Sequence, residues 1–314
     1  MTNKYTEQIN QAIEILNRTG NFKVIEKFDP EMDLPYLSDA PEGSVVACIV
    51  DIESTGTDIL HDEIIELALV KFAFDKKTSE FLGVLDEFQS YEEPSIPISE
   101  EASKINGLYI DDVKGHRIDD ELVEEFMADV VLCIAHNAYF DRAMTERRLA
   151  VFKQKHWACS QREIPWIDFD INGLKLEYIA YKLGFYYDAH RAETDCKALL
   201  HALSSKSTQE KTALAHLIEN ARKTTYRLWA TLAPFESKEL LKAKDYKFSD
   251  GSIETFEKKV WFKSFDTEEE IAAELEWLAK NVYMKESSVL VEKMTAKERF
   301  SFRRGPTQIR TIYF

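Results

Sequence analysis

Four carboxylates and one histidine lie in three separated stretches of this 314-residue chain. They are Asp51 and Glu53 in Val50-Asp51-Ile52-Glu53-Ser54-Thr55-Gly56, Asp141 in His136-Asn137-Ala138-Tyr139-Phe140-Asp141, and His190 with Asp195 in His190-Arg191-Ala192-Glu193-Thr194-Asp195. Asp51 and Glu53 close the apolar run Val45-Val46-Ala47-Cys48-Ile49-Val50. Strand side chains alternate, so the two acids point to one side. They do so at a strand end, where α/β folds gather their sites. Carboxylates this close repel when both are ionised. A divalent cation removes that repulsion, and hard oxygen ligands select Mg²⁺ or Mn²⁺ over softer metals. Taken alone, Asp-x-Glu reads as a solvated acidic strand end.

Asp141 follows a second apolar strand and falls in the first turns of a helix. Asn137, four residues earlier, shares its face if both are helical; it reads equally as the helix N-cap. Asp141 can also serve simply to complement the helix dipole. His190 and Asp195 are five residues apart, a spacing that separates them widely on one continuous helix. The expected geometry therefore puts His190 in a loop and Asp195 inside the following helix. There His190, neutral near pH 7, can take a proton from water; by itself it reads as a surface histidine. Together the five groups suggest a two-metal phosphodiesterase. One ion is expected among Asp51, Glu53 and Asp195, the second between Asp51 and the scissile phosphate, with Asp141 completing the site through water.

The elements that must position these groups can be traced from pattern. Residues 4–18 form an amphipathic helix with Ile9, Ala12, Ile13, Ile15 and Leu16 near one face, and residues 22–28 alternate as a short strand. Residues 29–43, with Pro30, Pro35 and Pro41, read as an extended linker. Strands are expected over 44–51, 64–74 and 81–88, the last two pairing antiparallel. Helices are expected over 99–105 (Ser99 as N-cap, Ala102 and Ile105 inward), 119–128, 137–151, 174–183 (stopping at Gly184) and 192–203, with a strand over 130–135. Strands followed by alternating helices and strands indicate an α/β sandwich around a mixed sheet. Beyond residue 205 the pattern becomes a small α+β region, with helices near 208–223, 238–243 and 267–282 and strands near 226–232, 246–248 and 259–265. Phe235, Lys238, Leu241, Tyr246, Trp261 and Phe262 are expected to form its core. Lys242, Lys244 and Lys247 leave a nucleic-acid role open. The basic tail, 293–314 with Arg299, Arg303, Arg304 and Arg310, reads as flexible.

The net charge of −16 argues against tight, non-specific binding to long duplex DNA. A small footprint on a chain end suits it better, since bound cations invert the local sign. Cys48, Cys133, Cys159 and Cys196 form no Cys-x-x-Cys pair and read as buried reduced thiols. No apolar run is long enough for a membrane span, and residues 1–20 carry too much charge for a signal peptide. A cytoplasmic location without membrane contact is the expectation.

The three stretches resemble the three exonuclease motifs of the proofreading 3′–5′ exonuclease family typified by the epsilon subunit of bacterial DNA polymerase III. The histidine five residues before the last aspartate is similar to its subclass with four acids and a histidine. The likeness spans about residues 45–203. It implies a ribonuclease H-like fold, two Mg²⁺ or Mn²⁺ ions held by Asp51, Glu53, Asp141 and Asp195, and His190 as general base. It implies substrate contacts near Ser54, Thr55, Asn137 and Leu108, the last in Gly107-Leu108-Tyr109 where the family usually has threonine after Leu or Ile. The implied organisation is an N-terminal extension (1–44), an exonuclease domain (45–205) and a C-terminal region (206–314). The implied activity is release of 5′-mononucleotides from single-stranded or frayed 3′ ends, with DNA favoured. A proofreading subunit in a DNA polymerase III complex and an RNA-trimming exoribonuclease are the alternatives.

Overall fold

The computed structural model describes residues 2–249, 259–303 and 305–312. Its first sheet has five strands in the order Phe81–Tyr91, Ile64–Asp75, Ser44–Ser54, Leu132–Ala135, His156–Cys159. The first three run antiparallel, and the last two are parallel to Ser44–Ser54. This is the expected mixed sheet; its edge strand His156–Cys159 is too short to show in the sequence pattern. The Ile64–Asp75 strand is buried from Ile64 to Phe74, its apolar run interrupted only by Glu66 and Lys71, as suits a strand covered on both faces. One core lies under the helices Leu176–Leu183, Ala192–Leu203 and Ala213–Arg222, and the other under Asp120–Phe126 and Ala138–Arg148.

The residues before the sheet carry more structure than a linker. Asp29 caps a short helix, Pro30–Asp33, through the N–H of Glu31, and Leu34 enters the core. Residues 35–37 then lie along the edge strand, with bonds of 2.8 Å from Leu37 N to Val84 O and from Val84 N to Pro35 O. A Cβ on Gly83 would stand 2.6 Å from Leu37, so glycine permits that approach and the edge is covered. The helix Thr2–Arg18 forms, but Ile9 and Ile15 on its apolar side stay 58% and 63% exposed. Of residues 22–28 only Glu26–Lys27 pairs as a strand, with Phe185–Tyr186.

A second, antiparallel sheet has the order Thr307–Ile312, Ser287–Met294, Thr225–Ala230, Val260–Phe265, Lys247–Ser249. Its inner face packs on the helix Glu268–Asn281, which opens with a Thr267–Glu270 capping box. Leu241 and Tyr246 are buried there, but Phe235 is 74% exposed rather than part of the core. Ile105, expected inward, is also exposed, because the helix Glu100–Asn106 turns Ser103 and Asn106 to the interior.

The basic tail is not flexible where it is described; Arg304 lies outside the described residues. Thr307–Ile312 pairs with Ser287–Met294, and the turn between them packs against helices of the first sheet. Arg299 donates to the carbonyls of Ala221 (2.6 Å) and Lys223 (2.7 Å), closing the C-terminus of Ala213–Arg222. Arg142, fully buried, donates to the carbonyls of Lys297 and Arg299 and pairs with Glu146 at 2.8 Å. Glu146 also binds Arg303 and Ser301. No helix among the described residues is long and apolar enough to cross a membrane.

Candidate active site

Asp51 and Glu53 leave the Ser44–Ser54 strand on one side, as the pleat dictates. Just beyond Glu53 the register with the neighbouring strand slips, so that Glu53 faces Glu66 but Ser54 faces Ile64. Such a bulge bends a strand end and re-aims its side chains. The chain then turns at Gly56, where a Cβ would meet the Asp62 carboxylate at 2.5 Å. Asp62 holds this turn through Thr55 Oγ1 (2.8 Å) and the N–H of Asp58 (2.7 Å).

Asp195 enters from the helix Ala192–Leu203. One of its oxygens accepts from the Tyr187 hydroxyl at 2.8 Å, the other from the backbone N–H groups of His190 (2.8 Å) and Arg191 (3.1 Å). Oxygens of Asp51, Glu53 and Asp195 lie within 4.8 Å of one another. Asp141 stands at the first turn of Ala138–Arg148 and is 4% exposed. It lies outside that tightest trio, yet close enough for its charge to act on Asp51.

Burial pushes the Asp51 carboxyl well above the usual carboxylate range, and the charges of Asp141, Asp195, Glu53 and Glu66 add to it. Burial and then Asp195 raise Glu53 to about 7. Burial also raises Asp141 and Asp195, the latter partly offset by the Tyr187, His190 and Arg191 donors. Several acids therefore share one low-dielectric site without enough positive charge to balance them. Glu66 adds a further acid: it is fully buried, its Oε1 meets Gln89 Nε2 at 2.5 Å and Arg191 at 3.4 Å, and its Oε2 has no partner among the described residues. This donor set fits a hard divalent cation.

The remaining candidates divide. His190 sits in the loop before the Asp195 helix with φ of 70°, a left-handed backbone uncommon for a side-chain-bearing residue. Its ring is half-exposed, with Nε2 3.4 Å from Glu177 Oε1. Asn137 occupies the N-cap position with φ of 86°, makes no side-chain cap bond, and is exposed. The Ser54 hydroxyl donates to Gly56 O at 2.6 Å, and Thr55 is fully buried in the Asp62 turn. The side chain of Leu108 packs with Ile65 and Val113, while Tyr109 beside it is 58% exposed. His136, at the end of its strand, has both ring nitrogens engaged, by Ser160 Oγ and Leu174 O.

Three residues at this site were not among the candidate site residues read from the sequence. Asn106 accepts from Leu108 N at 2.9 Å, and its side chain counteracts part of the rise in the Glu53 pKa. Glu66 faces Glu53 only because of strand register. Tyr187 holds Asp195, and burial and the neighbouring carboxylate keep its hydroxyl protonated. Tyr187→Phe is therefore expected to raise the divalent-ion concentration giving half-maximal activity by about 10- to 100-fold, as loss of an orienting partner does. A titration of rate against Mn²⁺ measures this; an unchanged midpoint would show that Asp195 needs no such support.

An exonuclease family model, RNase T, matches residues 48–203. Among curated proteins, the PolC-type DNA polymerase III of Caldanaerobacter subterraneus is 35% identical over 102 residues, covering 32% of this chain and 7% of the polymerase. That of Thermotoga maritima is 27% identical over 170 residues, covering 51% and 12%. The chain thus spans about a tenth of these relatives' length. Among solved structures, an Escherichia coli exonuclease I–single-stranded DNA complex aligns with a TM-score of 0.45 at 13% identity, over 58% of this chain and 47% of that one. Exonuclease X in complex with 5′-overhanging duplex DNA aligns with a TM-score of 0.38 at 20% identity, over 54% and 99%. The five-stranded mixed sheet flanked by helices is the ribonuclease H-like fold. All three acid-bearing stretches fall inside the matched span, and through residues 48–203 this chain belongs to the RNase T exonuclease family.

Proposed function

We propose that the protein is a metal-dependent 3′–5′ exonuclease that releases 5′-mononucleotides from DNA 3′ ends. The observation that carries this reading is the meeting of Asp51, Glu53 and Asp195 oxygens within 4.8 Å, from a strand and a helix far apart in sequence. Asp51, Glu53 and Asp195, with Asp141 beside them, would hold Mg²⁺ or Mn²⁺, two ions by analogy with two-metal phosphodiesterases. When bound, such ions polarise the phosphate, lower the pKa of water and offset charge on the leaving oxygen.

The chain's own groups do the rest. Tyr187 and the N–H groups of His190 and Arg191 fix the direction of the Asp195 carboxylate. The Asn106 side chain favours the ionised form of Glu53. His190 is the proposed base: it rests against Glu177, and rotation of its exposed ring would bring Nε2 to the attacking water to take its proton. His190→Ala is expected to lower the rate by about 10²- to 10⁴-fold while Mn²⁺ binding, read by calorimetry, persists. A pH–rate profile identical to wild type would assign the base elsewhere. A 5′-labelled single-stranded DNA should shorten stepwise from its 3′ end with Mn²⁺ and stay intact in EDTA. Side-by-side RNA and paired-end substrates test the preference for DNA.

A proofreading role beside a polymerase is the second reading, favoured by the likeness to PolC-type polymerases. Failure to retain a replicative polymerase on the immobilised protein, together with full activity of the isolated chain, would count against it.

A further inference from the structure

We propose that Arg191 is a positioning residue: moored to Tyr91 and Glu66, its guanidinium braces the loop that carries His190. This rests on the exonuclease reading and extends it to what holds the proposed base in place. The loop needs a brace. His190 stands at φ of 70°, a backbone that persists only where its surroundings over-determine it. The helix that follows opens at Arg191 without a side-chain cap bond. The N–H groups of His190 and Arg191 both donate to Asp195 Oδ2, which ties the loop to its own helix and not to the sheet. Two further ties are exposed. Lys27 and Asp188 pair at 2.6 Å with side chains 55% and 80% exposed, and His190 Nε2 is 3.4 Å from Glu177 Oε1. Exposed pairs of this kind hold little.

Arg191 reaches a firmer anchor. Glu53, Glu66 and Tyr91 are successive cross-strand partners on three neighbouring strands, so their side chains share one face of the sheet. The guanidinium lies against this row. Its Nη2 donates to the Tyr91 hydroxyl and stands 3.4 Å from Glu66 Oε1, and its central carbon is 5.9 Å from the Tyr91 ring centroid.

Both acceptors are themselves held. Gln89 Nε2 donates to Glu66 Oε1 at 2.5 Å, and the His116 ring packs edge-on to Tyr91 with centroids 5.9 Å apart. Glu66 is fully buried, so its charge attracts the guanidinium more strongly than an exposed acid would. The planar fork of arginine meets two acceptors and a ring at once, which a lysine ammonium does poorly. Among the described residues of the segment 188–191, Arg191 is the one hydrogen-bonded to the sheet strands. It ties the loop bearing the proposed base to the strands beside the acids.

The test is a double-mutant cycle on Mn²⁺-dependent turnover of oligothymidylate, paired with amide hydrogen exchange of the metal-free protein read by NMR. Arg191→Met should lower kcat by about 10- to 100-fold and leave KM unchanged. In a His190→Ala background it should cost nothing further, because a residue that acts through another has no effect once that other is gone. The His190 and Arg191 amides should exchange about 10-fold faster or more in Arg191→Met, while residues 196–203 keep their rates. If Arg191→Met does not fold, Tyr91→Phe carries the test: it removes one acceptor and should lower kcat by about 2- to 10-fold with faster exchange at the same amides. Equal losses from Arg191→Met with and without His190 would overturn the brace, as would a raised KM at constant kcat, which would make Arg191 a substrate contact. Unchanged exchange at the two amides would overturn it as well. Faster exchange in the variant of a protein whose wild type cleaves no strand in Mn²⁺ would sink the exonuclease reading and leave the brace standing.

Discussion

Asp51→Asn is expected to abolish strand degradation and at the same time raise the melting temperature of the metal-free protein. Both effects have one cause. Asp51 is held among Asp141, Asp195, Glu53 and Glu66, and burial with those charges pushes its carboxyl far up. Asparagine keeps the volume, so no cavity opens, and it removes the repulsion. The melting point should rise by roughly 2–4 °C for each kcal/mol relieved. Activity should fall by about 10³-fold or more, because the lost ligand would take with it several kcal/mol of transition-state stabilisation.

The sign with pH follows from the raised values. A carboxyl whose folded pKa lies above its unfolded one binds more protons when folded, so it supports the fold at low pH. That support fades as pH rises through the folded value. For Glu53 the window runs from the ordinary carboxylate range to about 7. Metal-free wild type should therefore lose stability across that interval, and Asp51→Asn should gain most over it near pH 8. Melting curves at pH 5 and pH 8 measure this. A variant that melts lower than wild type at both would show that the acids are not strained without metal.

The second large effect starts from stability. Arg142→Met is expected to cost about 3–5 kcal/mol, the usual result of removing one partner from a buried pair. Arg142 is fully buried and bonds Glu146 together with the carbonyls of Lys297 and Arg299. Its loss strands those carbonyls and frees the turn that carries Phe302. Because Arg142 follows Asp141 directly, the Asp141 carboxylate should lose its footing too. Thermal melting and rate at a temperature where both proteins are folded check the two parts. A melting point within about 2 °C of wild type would contradict the docking.

How far these features were legible follows from where their causes lie. The Asp51 strand, the Ala192–Leu203 helix and the stop at Gly184 are written locally, in an apolar run, a 3.6-residue period and a residue free to take φ of 102°. The acids were legible through type and spacing. The support around them was not: Tyr187, Asn106 and Glu66 act through register and loop closure, which no short window contains. The tail misled because Arg299, Arg303 and Arg310 look solvated in sequence. Two of the three instead find partners on the helices of the first sheet, the carbonyl end of Ala213–Arg222 and the Glu146 carboxylate. Ser287–Met294 was hidden for a similar reason. Its Glu292 interrupts an apolar strand, yet it is fully buried and accepts from Trp229 Nε1 and Gly305 N.

Anomalous diffraction from crystals soaked in Mn²⁺ near pH 8 bears most directly on whether distant acids form one metal-holding pocket. Strong manganese density in contact with Asp51, Glu53 and Asp195, absent in Asp51→Asn, is the expected result. Well-ordered carboxylates with no manganese among them at millimolar concentration would contradict the account.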